Sequence, residues 1–153
     1  MLTSQEVTRL VEEYSDCIYR VSFARVKNVA YAQDIVQEVF LKLITSKPVF
    51  ENEEHCKAWL IRVAINTTIS LLRSPWMRKI TLEEKEIRGE MIEECSLYDK
   101  ILRLSAKERI VIHLYYYEEY SIDDIANILE VKPTTVKTRL HRARKHLKIF
   151  LEE

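Results

Sequence analysis

Glycine occurs once and proline three times in 153 residues. So few turn formers exclude a β-sandwich, a barrel or a glycine-rich phosphate loop, and leave a nearly all-helical chain. Cysteine is scarce. Cys17, Cys56 and Cys95 are odd in number, far apart and in no CxxC arrangement, so neither a disulfide framework nor a zinc site is expected. A reduced, cytosolic compartment fits. No apolar run approaches the roughly 18 residues that a membrane span needs. The opening MLTSQEVTRLVEE carries acids where a secretory signal needs a basic and then an apolar stretch. His55, His113, His141 and His146 show no metal-ligand spacing. No Ser/His/Asp set, paired carboxylate site or cofactor fingerprint is discernible. No enzyme, metal or cofactor is therefore expected. Hydrophobic residues at 47% and charged residues at 31% are enough to build a core. The length suits one domain, or two of about 70 residues each.

Net charge is also missing, with 24 basic residues against 24 acidic ones. Mapped along the chain, the zero resolves into blocks. Residues 57–82 hold Lys57, Arg62, Arg73, Arg78 and Lys79 and no acid. Residues 83–99 hold seven acids against Lys85 and Arg88. Residues 132–153 hold seven basic residues against Glu152 and Glu153. Screening over about 8–10 Å lets each block act as its own local field. Two basic surfaces separated by an acidic stretch suggest a polyanion contacted at two places. Two solvated helix faces are the plain alternative.

The acidic block also holds Gly89, the single glycine. It reads as a linker over 77–97, between helical domains at 1–76 and 98–153. In the first, the spacing predicts a helix over 34–44, with Ile35, Val36, Val39, Phe40, Leu43 and Ile44 on one apolar face. Asp34, Gln37, Glu38 and Leu41 share the opposite side, where an exposed leucine among polar groups signals a protein contact. Pro48 ends this helix, and Phe50–Lys57 reads as a polar loop. A second helix is predicted over 58–72. Trp59, Leu60, Val63, Ala64, Thr67 and Leu71 face inward, and Arg62, Asn66, Ser70 and Arg73 stay polar.

In the second domain, Ser105-Ala106-Lys107-Glu108 is a capping box that starts a helix at Ala106 and carries it through Leu114 and Tyr115. Ser121-Ile122-Asp123-Asp124 starts another, buried along Ile122, Ile125, Ala126 and Leu129. Glu130-Val131-Lys132 is a tight turn, and Pro133 suits the first position of a final helix. Two short helices around a three-residue turn, the second strongly basic, describe a helix-turn-helix. At 100° per residue, Val136, Leu140, Ala143 and Leu147 cluster on one side of the final helix. Thr134, Thr138, His141, Arg142 and Lys145 lie opposite. Thr135 and Arg139 complete the set assigned to a major groove, where arginine pairs bidentately with guanine. Lys132, Lys137, Arg144 and Lys148 suit phosphates, which position the protein without reading sequence.

The run SIDDIANILEVKPTTVKTRLHRARKHLK, preceded by LSAKERIVIHLYYYEEY, resembles region four of the sigma factors of bacterial RNA polymerase. DIVQEVFLKL and AWLIRVAINTTISLLR are similar to region two, and the order and length suit the extracytoplasmic-function (ECF) group. The resemblance implies an all-α protein of two small domains that binds core RNA polymerase and promoter DNA. It implies that Asp34, Gln37, Glu38 and Leu41 contact the clamp coiled coil of the largest subunit. The basic helix would enter the major groove of the minus-thirty-five element. Asn66, with Phe50 and the rest of loop 50–57, would capture an unpaired minus-ten base, a step that costs a few kcal/mol of stacking and pairing. Arg62, Ser70 and Arg73, with Arg78 and Lys79, would line the opened strand. An anti-sigma partner is implied as well.

Four positions depart from the family pattern. Many relatives have glycine at Glu130 and again at Thr134, a serine cap at Lys132, and aspartate at Ser70. A left-handed Glu130 costs on the order of 1 kcal/mol. Two other classes stay open at this point: an operator-binding regulator, and a protein that only docks on polymerase. Trp59 is expected in the core, and two or three of Tyr115, Tyr116, Tyr117 and Tyr120 against the helix-turn-helix rather than as a stacking platform. Cys56 reads as a small loop residue, with oxidation sensing as the alternative.

Overall fold

The computed structural model describes residues 2–74 and 97–153, and among these it holds seven α-helices, one π-helical segment and no strand. The predicted linker lies outside the described residues except for Leu97, and Arg78, Lys79 and Cys95 lie outside them entirely. The chain divides into two units, residues 1–70 and 71–153.

The first unit opens with α1 (Ser4–Val26). Thr3 and Glu6 form a reciprocal capping box, with bonds of 2.9 and 3.1 Å. Leu10, Tyr14, Cys17, Ile18 and Val21 recur at helical spacing and are buried. Asn28 caps α2 (Val29–Ser46) by accepting from the Tyr31 amide at 2.9 Å. The predicted helix 34–44 therefore extends five residues further back. Ile35, Val39, Phe40 and Leu43 are buried as predicted, but Ile44 is 51% exposed. Leu2, Ser4 and Val7 share a shallow groove with Leu43, Ile44 and Lys47, so the start of α1 lies by the end of α2 and the two helices run antiparallel.

The expected loop 50–57 is shorter in the structure. Asn52 accepts from the His55 amide at 2.8 Å and starts α3 (Glu53–Leu72) there, so 53–57 are its first turns. Cys56 is thus a buried helical residue, and burial pushes its thiol up to about 11. Both the loop reading and the oxidation-sensing alternative fail on this point, because a buried, protonated thiol is a poor nucleophile. The inner face of α3 is Leu60, Ile61, Val63, Ala64, Ile65 and Thr68, while Trp59, Thr67 and Leu71 are only half-buried. Each fully buried Leu or Ile of this kind contributes about 1.5–3 kcal/mol.

Two polar ties fix α3 against α1. Arg25 Nε donates to Thr68 Oγ1 at 3.2 Å, inside the core. Arg9 grips the Glu53 carboxylate through both terminal nitrogens at 2.9 and 3.3 Å, and the Tyr14 hydroxyl donates to it at 2.8 Å. The early residues of both helices meet, and so do the late ones, so α3 runs parallel to α1. The bonds from Arg9, and then from Tyr14, hold the Glu53 carboxyl below its ordinary 4.5. A depressed acid stabilises the fold above its unfolded pKa and loses that contribution as pH falls through the folded value. Glu53→Gln is therefore expected to flatten the loss of stability below about pH 4.5, in chemical denaturation followed by circular dichroism. The change is small, because the Arg9 and Glu53 side chains are half-exposed.

The second unit packs α4 (Leu97–Leu102), α5 (Ala106–Ile112), α6 (Ile122–Leu129) and α7 (Pro133–Glu152). Its core is Ile110, Val111, Ile112, Leu114, Ile125, Ala126, Ile128, Val136, Leu140 and Ala143. Ile122 and Leu129, predicted in the α6 stripe, are half-buried, and Ile128 takes the inner place. Ser105 caps α5 by accepting from the Glu108 amide at 3.3 Å. The Glu108 carboxylate accepts from the Ser105 hydroxyl at 3.0 Å and meets His146 Nδ1 at 2.7 Å. The α-helix predicted through Tyr115 stops at Ile112. It widens into the π-helical segment His113–Tyr117, closed by the Glu118 amide on the His113 carbonyl at 3.1 Å. His113 is buried and bonded to Glu118 at 3.0 Å. Lys100 donates to the Phe150 carbonyl at 2.8 Å and Arg103 pairs with Glu153 at 2.9 Å, tying α4 to the end of α7.

Left-handed residues end three of these helices: Lys27 (φ 54°), Lys47 (φ 48°) and Glu130 (φ 57°). At Glu130 the Val131 amide reaches back to the Ala126 carbonyl at 3.0 Å, the bond that closes a helix on a left-handed residue. A side chain at that position crowds its own carbonyl, and glycine does not. Glu130→Gly should raise stability by about 1 kcal/mol, read as a higher midpoint in thermal denaturation.

Candidate functional site

The basic helix α7 is built as its spacing predicts. Val136, Leu140 and Ala143 are buried against the rest of the second unit, and Leu147 is half-buried. Thr134, Thr138, His141, Arg142 and Lys145 are all exposed on the opposite face. Thr135 and Arg139 are half-buried and lie at the border of that face rather than on it. Thr138 donates its hydroxyl proton to the Thr134 carbonyl at 2.9 Å, which leaves its methyl group and lone pairs outward. Lys132 stands at the N-cap with no side-chain bond to the helix, and Pro133 follows at the first turn. Pro133 has no amide proton, and the Thr135 amide bonds back to the Lys132 carbonyl at 2.9 Å. Lys137 and Lys148 are exposed on one flank, beside Arg144.

Arg144 has partners that the spacing did not indicate. Its Nε donates to the Tyr116 hydroxyl at 2.8 Å, and its guanidinium lies 5.5 and 5.6 Å from the Tyr115 and Tyr116 ring centres. Of the tyrosines expected to pack, Tyr115 and Tyr120 are half-buried. Tyr116 and Tyr117 are exposed, and Tyr117 stacks on His113 at 5.4 Å.

In the first unit, Asp34, Gln37, Glu38 and Leu41 form one exposed strip on α2, and Leu41 is 61% exposed. Ile44 extends the strip by three residues. On α3, Arg62, Asn66 and Ser70 are spaced by four and share a face, with Arg73 just beyond the last helical residue. Asn66, Ser70 and Arg73 are exposed and Arg62 is half-buried. The Phe50 ring meets Trp59 edge-on at 5.7 Å and His55 at 5.5 Å. Trp59 is therefore a half-buried member of an aromatic group at the start of α3, not a core residue. His55 was missed by sequence reasoning because its partner Phe50 lies across the turn. Among the described residues no three His, Cys, Asp or Glu side chains come together as metal ligands.

A helix-turn-helix with a cationic outer face, joined in one chain to a second helical unit with polar and aromatic surfaces, defines a DNA-binding transcription factor. Two family descriptions match it: Sigma-70 region 2 over residues 10–77, and Sigma-70 region 4 over residues 96–147. The chain is 30% identical over 148 residues to RNA polymerase sigma factor SigV of Bacillus subtilis, covering 92% of this chain and 88% of that one. It is 30% identical over 164 residues to ECF RNA polymerase sigma factor SigW of the same organism, covering 94% and 88%. In fold it is similar to the sigma factor RpoE of Bartonella quintana, solved with the anti-sigma factor NepR. The TM-score is 0.72 at 24% identity, over 97% of this chain and 98% of that one. The chain belongs to the extracytoplasmic-function sigma factors of bacterial RNA polymerase. Such a factor binds core polymerase and promoter DNA and directs the enzyme to its start sites. It is a transcription initiation factor.

Proposed function

We propose a division of roles between the two units, with boundaries at 1–76, 77–97 and 98–153. The Asp34, Gln37, Glu38 and Leu41 strip docks on the clamp coiled coil of the polymerase's largest subunit. Asn66 and Phe50 take an unpaired minus-ten base, and Arg62, Ser70 and Arg73 follow the opened strand. Extraction of a base costs a few kcal/mol, which hydrogen bonds and ring contacts at such a site offset. Thr134, Thr138, His141, Arg142 and Lys145 read the minus-thirty-five element as duplex, with Thr135 and Arg139 at the edge of the readout. Lys132, Lys137, Arg144 and Lys148 hold phosphates. The observation that carries this reading is the outward face of α7, where Thr134, Thr138, His141, Arg142 and Lys145, flanked by Lys137, Arg144 and Lys148, lie exposed opposite the buried Val136, Leu140 and Ala143.

Work in the cytoplasm, with no catalytic group or cofactor of its own, is part of the proposal. No helix among the described residues is long and apolar enough to cross a membrane. Control by an anti-sigma protein is proposed too, of the kind seen with the Bartonella quintana protein.

The test is transcription by purified core polymerase on a pool of random-sequence templates, with and without this chain. Transcripts from discrete starts that need the chain, preceded by two conserved and asymmetric elements, support the reading. Tight palindromic binding without polymerase would favour an operator-binding regulator. Polymerase binding with no transcript gained would favour a protein that only docks.

A further inference from the structure

Tyr116 is a large aromatic residue left 52% exposed beside the basic helix. Neither core packing nor the turn chemistry around it requires it there. It comes from the π-helical segment and meets α7 through Arg144, 28 positions along the chain. The Tyr115 ring braces it edge to face, with centres 4.9 Å apart and planes at 76°. Arg144 lies against both rings and donates its Nε to the Tyr116 hydroxyl.

A lone arginine on an exposed helix carries about 2 kcal/mol of rotamer entropy, which binding must remove. A guanidinium has five N–H donors. The Tyr116 hydroxyl takes the one on Nε, and the four on the two terminal nitrogens remain. That terminal pair is the bidentate edge that suits a phosphate. The ring faces also favour the cation, so the side chain is already placed before DNA arrives. Lys137 and Lys148 lie on the same flank, with no such brace described for either.

We propose that Tyr116 is a positioning residue for duplex binding: it holds Arg144 by Nε so that both terminal nitrogens remain available to one backbone phosphate. The inference rests on the reading of α7 as the duplex-binding helix.

The test uses the full chain bound to core polymerase, and a duplex enriched by the wild-type complex from a random pool. Affinity is measured over about 50–200 mM salt. Arg144→Ala should lower the slope of log affinity against log salt by about one. Tyr116→Phe keeps the ring and every charge, and should weaken binding about three- to tenfold. In an Arg144→Ala background the same change should have no effect, because the residue that it positions is gone. Thermal denaturation of each variant reports any loss of fold separately. Wild-type affinity for Tyr116→Phe overturns the inference. So does an equal loss in both backgrounds, which would mean that the hydroxyl touches DNA itself. If the wild-type complex enriches no duplex, the duplex-binding reading of α7 fails and this inference falls with it.

Discussion

Glu38→Lys is expected to abolish binding to core polymerase, with a loss of at least about a hundredfold, and to leave the folding of the chain intact. Glu38 lies exposed at the middle of the α2 strip, flanked by Asp34, Gln37 and Leu41. A carboxylate there contributes to docking by meeting cationic or donor groups as both surfaces lose water. Losing one partner of such a desolvated pair costs about 2–5 kcal/mol, and a reversed charge adds repulsion to that loss. The same residue makes no contribution to the core, so its replacement stays within about 0.5 kcal/mol of wild-type stability. Size-exclusion co-elution with core polymerase gives the first result and thermal denaturation the second. Retention of binding by Glu38→Lys would remove the strip from the proposed interface. Loss of both binding and fold would show that the strip is structural.

Arg142→Ala should relax sequence preference in the upstream promoter element by about 1–3 kcal/mol, roughly ten- to a hundredfold. Arg142 is exposed on the outward face of α7, which the proposed function turns toward base edges. Its loss should therefore weaken the preferred duplex more than unrelated ones. Lys148→Ala, on the flank, should weaken all duplexes alike. Selection from a random duplex pool by polymerase-bound variants separates the two patterns. If Arg142→Ala changes neither affinity nor preference, then α7 presents a different face to DNA than its buried side implies.

The class of fold was legible because helical signals depend on spacing, which a single sequence carries in full. The buried and exposed faces of α7 follow from 100° per residue alone, and the structure keeps them. The α6–α7 turn was legible for the same reason: Ser121, Glu130 and Pro133 punctuate it, and Glu130 is left-handed as that turn demands. Helix starts fared worse where the cap is an asparagine within a polar run. Asn28 and Asn52 each begin a helix about five residues before the first apolar periodicity, so α2 and α3 were both read short. That error turned Cys56 from a core residue into a loop residue. Thr3 and Glu6 carry a capping box that announces α1, a signal present in the sequence but unused. Contacts between distant segments left no local signal at all. The Arg9, Tyr14 and Glu53 tie spans 44 and 39 positions, and the Tyr116–Arg144 bond spans 28. The π-helical widening at His113 depends on a buried Glu118 partner that no periodicity reveals.

The buried thiols of the first unit have a practical use. Cys17 and Cys56 are 5% and 3% exposed, and the single remaining cysteine, Cys95, lies outside the described residues. With Cys95 replaced by serine, alkylation would proceed only when α1 and α3 part, since a thiol near pKa 11 is almost wholly protonated at neutral pH. The labelling rate then becomes a clock for opening of the first unit alone, silent to events in the helix-turn-helix. Slower labelling in the presence of polymerase would measure how firmly that unit is clamped shut in the assembled enzyme.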